Sequence, residues 1–154
     1  MNDMKLQVAI GIGCDRGTPL STLQQALCDA LALADADLED VAAIASINLK
    51  ADEVGLLALA DLYGWTVTFY TPEQLAAVPV PNPSETVRKY TGSPSVSEAA
   101  ALLVGTGSIQ DAHALPMTAL LVEKFKYCGV DGRNATVSIA RCNNFFPLNF
   151  KWSK

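Results

Sequence analysis

The sequence is poor in the residues from which proteins build metal and redox sites. Its 154 residues include four cysteines and one histidine, and no two cysteines form a C-x-x-C pair. Zinc sites need closely spaced cysteine or histidine ligands. The sequence therefore predicts no metal site and no bound cofactor, and scattered cysteines of this kind are typical of reduced residues in a cytoplasmic protein.

Basic residues and long apolar runs are also scarce. Eleven lysines and arginines stand against sixteen acidic residues, so the formal net charge is −5. A protein that binds nucleic acid or an anionic membrane normally has a basic surplus, so neither partner is expected. The longest early apolar run, residues 6–13, is too short for a membrane span and has no secretory-signal pattern, which favours a cytoplasmic location.

What the sequence does contain is a hydrophobic content of 50%, arranged in alternating strand and helix patterns. Period-two alternation predicts a first strand at 6–12, and helical spacing begins at residue 19. A strand at 41–47, a helix at 52–63 and a strand at 65–70 follow. This β-α-β-α-β order predicts a three-layer α/β/α fold whose sheet is mostly parallel or mixed.

The second half of the sequence predicts shorter elements. Short helices are expected at 73–77 and 84–90, a helix at 99–104 behind a capping-box pattern, a loop at 105–115, and strands at 117–127 and 135–141. The glycines between the last two strands suit a C-terminal hairpin. We place a single domain at 1–142 and an aromatic tail at 143–154, which would pack on the domain or on a second copy in a homo-oligomer.

A glycine-rich turn, GIGCDRGTP, follows the first predicted strand. Thr18 is expected to cap a helix that starts at Pro19, and the free N–H groups of the turn could hold an anion beside Arg16. A plain strand-to-helix turn is the equal alternative. Two nucleotide motifs fit badly, because Arg16 replaces the third glycine of a dinucleotide fingerprint and Gly17 replaces the lysine of a P-loop. Cys14 lies in the same turn, where a lowered thiol pKa is conceivable.

Two further charged groups are candidates for a binding site. Lys50 is expected at the end of the second strand, facing the same crevice as Arg16. Glu53 would either complement the dipole of the next helix or orient the lysine and handle protons. Lys124 and Lys126 share a face of a predicted strand, where they would protect a sheet edge or pair with substrate carboxylates.

Two more polar residues are interpreted mainly as structural. Ser84 follows a proline and suits the N-cap of a short helix. Glu98 stands three residues after Ser95, as the reciprocal partner in a capping box.

Taken in order, several short motifs form a recognisable series. They are GIGC at 11–14, KADE at 50–53, PSE at 83–85, GSPSVSEAAA at 92–101, KFK at 124–126 and TVSIAR at 136–141. Each is unspecific alone, but together they run through nearly the whole domain. The series resembles the CobE/CbiG C-terminal domain family of cobalamin biosynthesis.

The resemblance implies a precorrin-type tetrapyrrole, rich in acetate and propionate groups, as the ligand. Longer members of that family are cobalt-precorrin-5A hydrolases, which open a δ-lactone and release acetaldehyde, whereas CobE consists of this unit alone. Glu53 and Lys50 become the candidate catalytic pair. The candidate binding residues are Gly13, Cys14, Arg16, Thr18, Lys50, Ser84, Glu98, Lys124 and Lys126.

Three functions remain open at this point. The chain could bind and pass on a precorrin intermediate, or act alone as a hydrolase-like enzyme with Glu53 as acid or base. It could instead be a structural partner of another cobalamin-pathway enzyme, attached through its aromatic tail.

Overall fold

The computed structural model describes residues 6–93, 95–107 and 113–142. The strands are β1 (Val8–Cys14), β2 (Val41–Ile47), β3 (Val67–Tyr70), β4 (Leu120–Cys128) and β5 (Asn134–Arg141). The helices are α1 (Leu20–Leu33), α2 (Val54–Tyr63), α3 (Pro72–Ala76), α4 (Glu85–Thr91) and α5 (Val96–Val104).

The five strands form one mixed sheet in the order β3-β2-β1-β5-β4. β1, β2 and β3 are parallel, while β5 runs antiparallel to both β1 and β4. The mixed sheet and the C-terminal hairpin confirm the prediction. The parallel strands are connected through α1 and α2, so the loops after β1 and β2 lie at the same edge of the sheet.

The two faces of the central strand β1 carry side chains of different size. Ile10 and Ile12 belong to a core that includes α1 and α2. Gly11 faces the other way, and a Cβ added there would lie 1.9 Å from the backbone oxygen of Ser97 on α5. Because successive residues of a strand point to opposite faces, α5 packs on the side away from α1 and α2. The molecule therefore has three layers, and α5 lies directly on the backbone of β1.

The predicted start of α1 is wrong by one residue. Pro19 is the N-cap, with an extended backbone (φ −71°, ψ 157°), and the helix begins at Leu20. Thr18 does not cap the helix, because its hydroxyl donates to the carbonyl of Asp15 at 2.6 Å. Gly17 has φ +82°, a conformation that favours glycine, and it closes this tight turn.

Other boundaries shift for local reasons. α2 begins at Val54 rather than at 52, because Asp52 and Glu53 direct their side chains to another loop. Its end at Gly64, in the left-handed conformation with φ 73°, confirms the prediction. Two strands begin later than predicted. β3 begins at 67 rather than at 65, and β4 begins at 120 rather than at 117, because a 3₁₀ turn precedes it.

The capping box at α5 is also wrong in detail. Ser95 is the N-cap residue, but its hydroxyl donates to the carboxylate of Glu98 at 2.8 Å and does not accept a backbone N–H. Glu98 reaches Asn82 on a different segment instead. Ser84 does cap α4, since its hydroxyl accepts from the N–H of Val87 at 3.2 Å.

Some predictions fall outside the described residues. These are the aromatic tail at 143–154 and the central part, 108–112, of the predicted loop. Within the described ranges, no helix has the length and apolar character required to cross a membrane.

We expect Gly11→Ala to lower the free energy of unfolding by about 3 kcal/mol or more, because the new methyl group collides with the backbone of α5. Gly13→Ala is the matched control, since its Cβ would meet Val96 at an ordinary distance of 3.8 Å. Urea unfolding of both variants measures the difference. Equal stability of the two would show that α5 does not rest on β1 at Gly11.

Candidate functional site

The loops that follow β1 and β2 meet at the carboxyl edge of the parallel strands. Gly55, in the first turn of α2, permits the meeting, because a Cβ at this position would lie 2.3 Å from the carbonyl oxygen of Thr18. The starts of α1 and α2 are therefore neighbours. Their side chains and loop N–H groups share one crevice, as the strand order requires.

A buried carboxylate joins the two loops. Glu53 is 2% exposed, and its Oε2 accepts a hydrogen bond from the N–H of Gly17 at 2.9 Å. The sequence left open whether N–H groups of this turn hold an anion from a ligand or only close the turn. The anion at Gly17 is the protein's own carboxylate, and the N–H of Thr18 donates to the carbonyl of Asp15 within the turn.

The second oxygen of Glu53 is incompletely satisfied. Oε1 lies 3.0 Å from Nη1 of Arg16 and 3.8 Å from Nζ of Lys50. The contact with Lys50 is too long for a hydrogen bond and that with Arg16 is not aligned as one, so Oε1 is buried without a hydrogen-bond donor among the described residues. A buried acceptor of this kind is costly unless its charge is compensated, and the two cations provide that compensation.

Arg16 is held by three partners. Its guanidinium contacts Asp52 and Glu53 at 3.0 Å each, and it donates to the carbonyl of Leu49 at 2.8 Å. The hydrogen bond from Arg16 lowers the pKa of Asp52 below its usual range. The resemblance implies that Arg16 and Lys50 hold carboxylates of a ligand; in the structure Arg16 is paired with acidic residues, and Lys50 lies beside Glu53, one of the two positions expected for that carboxylate. The crevice is close to neutral.

A cavity of about 350 Å³ lies beside these groups. Its lining includes the charged residues Arg16, Asp52 and Glu53, together with apolar residues such as Val54 and Ala58. A second cavity, of about 300 Å³, has Tyr63 and Trp65 in its lining but no cation. We place the candidate site at the first cavity, because it combines charged with apolar residues.

The β4–β5 hairpin braces the same loop. Nε of Arg133 donates to the carbonyl of Arg16 at 3.0 Å, and the N–H of Asn134 donates to the carboxylate of Asp15 at 2.8 Å. The sequence analysis missed Arg133, and it placed Asp52 only as the first residue of a predicted helix. Arg133 lies 117 residues from Arg16 along the chain, so no local pattern connects them.

Two predicted residues of the second half, Glu98 and Lys124, belong to a separate cluster around Asn82. The buried carboxylate of Glu98 accepts from the backbone N–H and the side-chain amide of Asn82, the latter at 2.6 Å. Nζ of Lys124 donates to the carbonyl of Asn82 at 3.2 Å. Asn82 thus connects Glu98 with Lys124, and both side chains serve internal contacts. Lys126 is exposed on the same strand.

Cys14 is not an activated thiol. Burial raises the pKa of Cys14, and the nearby charge of Lys50 offsets this only in part. The lowered pKa considered from the sequence is therefore wrong, because burial outweighs the nearby cation.

Gly13 is a residue of β1 beside Cys14, paired with Thr136 on β5. In the described ranges, no cluster of three or more histidine, cysteine or acidic residues could hold a metal ion.

Comparison with known proteins finds relatives from one biosynthetic pathway. The family described as "Cobalamin synthesis G C-terminus" matches residues 8–140. The chain is 43% identical over 96 residues to a protein of Priestia megaterium named cobalt-precorrin-5A hydrolase, which covers 62% of this chain and 26% of that protein. It is 37% identical over 102 residues to Protein CobE of Sinorhizobium sp, covering 65% of this chain and 66% of that protein.

A solved structure is similar over most of the chain. The crystal structure of CobE, described as a protein from the cobalamin (vitamin B12) biosynthetic pathway, superimposes with a TM-score of 0.72 at 31% identity. The match covers 90% of this chain and 92% of that one. This chain thus spans about the length of the solved CobE but about a quarter of the hydrolase from Priestia megaterium.

We expect Glu53→Ala to lower the free energy of unfolding by about 2 kcal/mol, because it leaves the N–H of Gly17 without an acceptor and the loops without their link. Asp52→Ala is the neighbouring control and should unfold much as the wild type does, since water screens the exposed pair that it forms with Arg16. Chemical denaturation followed by circular dichroism compares the two. A Glu53→Ala protein as stable as the control would contradict the proposed link.

Alkylation by iodoacetamide at about pH 8 should separate the four cysteines into two classes. Cys28 and Cys128 are exposed and should react first, whereas burial raises the pKa of Cys14 and raises that of Cys142 to about 12. Lys50→Ala should slow Cys14 further while leaving Cys142 unchanged, because the lysine lowers the pKa of Cys14. Peptide mass spectrometry gives the rates, and a Cys14 as reactive as Cys28 would contradict the assignment.

Proposed function

Because this chain belongs to the cobalamin synthesis G C-terminus family, we propose that it binds a precorrin-type tetrapyrrole at the cavity between the β1–α1 and β2–α2 loops. The observation that carries the proposal is the position of Arg16. Its guanidinium lies at the cavity wall between the buried carboxylate of Glu53 and the exposed carboxylate of Asp52. Membership of the family indicates the pathway, and the carboxylates of such a ligand are the groups that would pair with the arginine.

Arg16 has fixed partners on one side of its guanidinium and a replaceable partner on the other. Glu53 and the carbonyl of Leu49 hold the guanidinium in place. Asp52 is 84% exposed, and an exposed ion pair contributes little because water screens it. A carboxylate of the ligand can therefore replace Asp52 at small cost, while Arg16 keeps its orientation.

The exchange also changes the charge of the site. Before it, Arg16 and Lys50 are balanced by the carboxylates of Asp52 and Glu53. Once Asp52 is displaced, two cations share one protein carboxylate, and the site attracts an anionic group. Such local compensation allows a protein with a net charge of −5 to bind an anionic ligand.

A second function, hydrolysis of a lactone in such an intermediate, is favoured by the buried oxygen of Glu53. Oε1 has no aligned hydrogen-bond donor among the described residues and lies 3.8 Å from Nζ of Lys50. A carboxylate in this position could take a proton from water that attacks the lactone carbonyl, and then return it to the departing ring oxygen. The relative from Priestia megaterium that is named cobalt-precorrin-5A hydrolase supports this reaction class.

Absorbance titration with precorrin-pathway intermediates, with and without cobalt, tests the binding site. Arg16→Ala should weaken binding about ten- to a hundredfold, because it removes charge-assisted contacts worth about 1.5–3 kcal/mol. Asp52→Asn should tighten binding, because it removes the competitor of the ligand carboxylate. Arg88→Ala is the control, since Arg88 forms a comparable ion pair with Glu85 on α4.

The same titration separates the two functions. A saturable spectral shift without further change indicates a binder, whereas continuing conversion with release of acetaldehyde indicates a hydrolase. If Arg16→Ala and Arg88→Ala bind equally well, the ligand does not contact Arg16. If the wild type gives no spectral change with any intermediate, the proposed function is wrong.

A further inference from the structure

Helix α2 is apolar on the side that faces water as well as on the side that faces the core. Its ten residues, VGLLALADLY, contain one charged side chain, Asp61. Leu56 and Leu59 fill the core, yet Val54 is 79% exposed and Leu57 is 43% exposed. A surface helix normally carries polar side chains on its outer side. The outer side of α2 therefore departs from the usual pattern.

Apolar residues cluster on one side of the helix. Val54, Leu57 and the half-buried Ala58 share this side at helical spacing, Leu62 extends it on its flank, and the exposed Asp61 borders it in the last turn. We call the four apolar side chains the α2 platform. From Val54 to Leu62 the helix rises about 12 Å, so the platform is long enough to lie beneath a ring-shaped ligand.

The platform is continuous with the candidate site. Val54 and Ala58 line the same cavity as Arg16 and Glu53. Arg16 and Glu53 thus lie at the start of α2, and the apolar surface extends from them along the helix as far as Asp61 and Leu62. This combination suits a ligand that has an apolar face and a charged edge.

We propose that one face of the tetrapyrrole ring lies on the α2 platform while carboxylates at the edge of the ring reach Arg16. The inference rests on the proposed function and specifies how the ligand is oriented there. A tetrapyrrole has apolar faces and carries its acetate and propionate groups around its perimeter. The platform matches the face, and the guanidinium of Arg16 at the end of the platform matches the perimeter.

A second copy of the chain fits this surface less well. A stable protein interface buries about 800 Å² on each partner and involves roughly 20–30 residues a side. The platform has four apolar side chains, and the charged groups of Arg16, Asp52 and Asp61 lie on or beside it. Its size and its charged border favour a small amphipathic molecule.

The test uses uroporphyrin, a planar tetrapyrrole with carboxylates around its perimeter, and citrate, which has carboxylates but no ring. Leu57→Ser and Val54→Ser should each weaken uroporphyrin binding about three- to tenfold, because each removes part of the apolar contact. Leu57→Phe should preserve binding or strengthen it. Fluorescence titration of the full chain gives the affinities, and citrate should not displace uroporphyrin at comparable concentration.

Leu33→Ser is the matched control. Leu33 is 64% exposed and ends α1, a helix that starts at the cavity and runs away from it for about 20 Å. This variant should bind uroporphyrin as the wild type does. Thermal unfolding of all variants checks their fold. If Leu57→Ser is unstable, Val54→Ser and Leu57→Phe decide the question, because one changes the most exposed position and the other keeps the surface apolar.

The outcomes separate the platform from the proposed function. If Arg16→Ala weakens binding of pathway intermediates but the serine variants bind uroporphyrin like Leu33→Ser, the platform is wrong and the binding function stands. If the wild type binds intermediates but not uroporphyrin, the platform is equally wrong, because it requires only a planar ring with charged edges. If sedimentation shows a wild-type dimer that Leu57→Ser makes monomeric, the surface joins two copies of the chain.

Discussion

The carboxylate of Glu53 is the contact on which the site depends. It is buried at the junction of two loops, where it accepts the N–H of Gly17 and neutralises part of the charge of Arg16 and Lys50. A buried carboxylate needs such partners, and the partners in turn need the carboxylate. The three groups therefore order one another. They bring the starts of α1 and α2 together, and the other side of Arg16 is paired with the exposed carboxylate of Asp52.

On the other side of the sheet, the close approach of α5 fixes β1, the strand that leads into the loop of Arg16. Gly11 has no side chain, so the backbone of α5 lies directly on β1, and the large side chains of Ile10 and Ile12 all serve the opposite core. The central strand is thereby fixed between two layers. The loop of Arg16 follows the carboxyl end of this strand, and the β4–β5 hairpin holds the loop through the hydrogen bond from Arg133.

Much of the fold could be predicted because it follows from short-range patterns. β2 was predicted at its observed bounds, since an uninterrupted run of small and β-branched residues at 41–47 has one clear interpretation. Helix starts were less accurate. Thr18, Asp52 and Glu98 all have the chemistry of capping residues, but each meets a partner in its loop or in a distant segment. Local preference for a cap is weak enough for these contacts to override it.

The sequence by itself determined the succession of strands and helices along the chain, the tight turn at Gly17 and the family to which the chain belongs, because each of these depends on residues close together or on ordered motifs. The tertiary structure alone decided how the charges are paired. Arg16 and Glu53 are brought together across loops whose contacts span 36 residues, and Arg133 reaches the same loop from 117 residues away. Burial and strand order select such pairs, and neither is contained in local spacing.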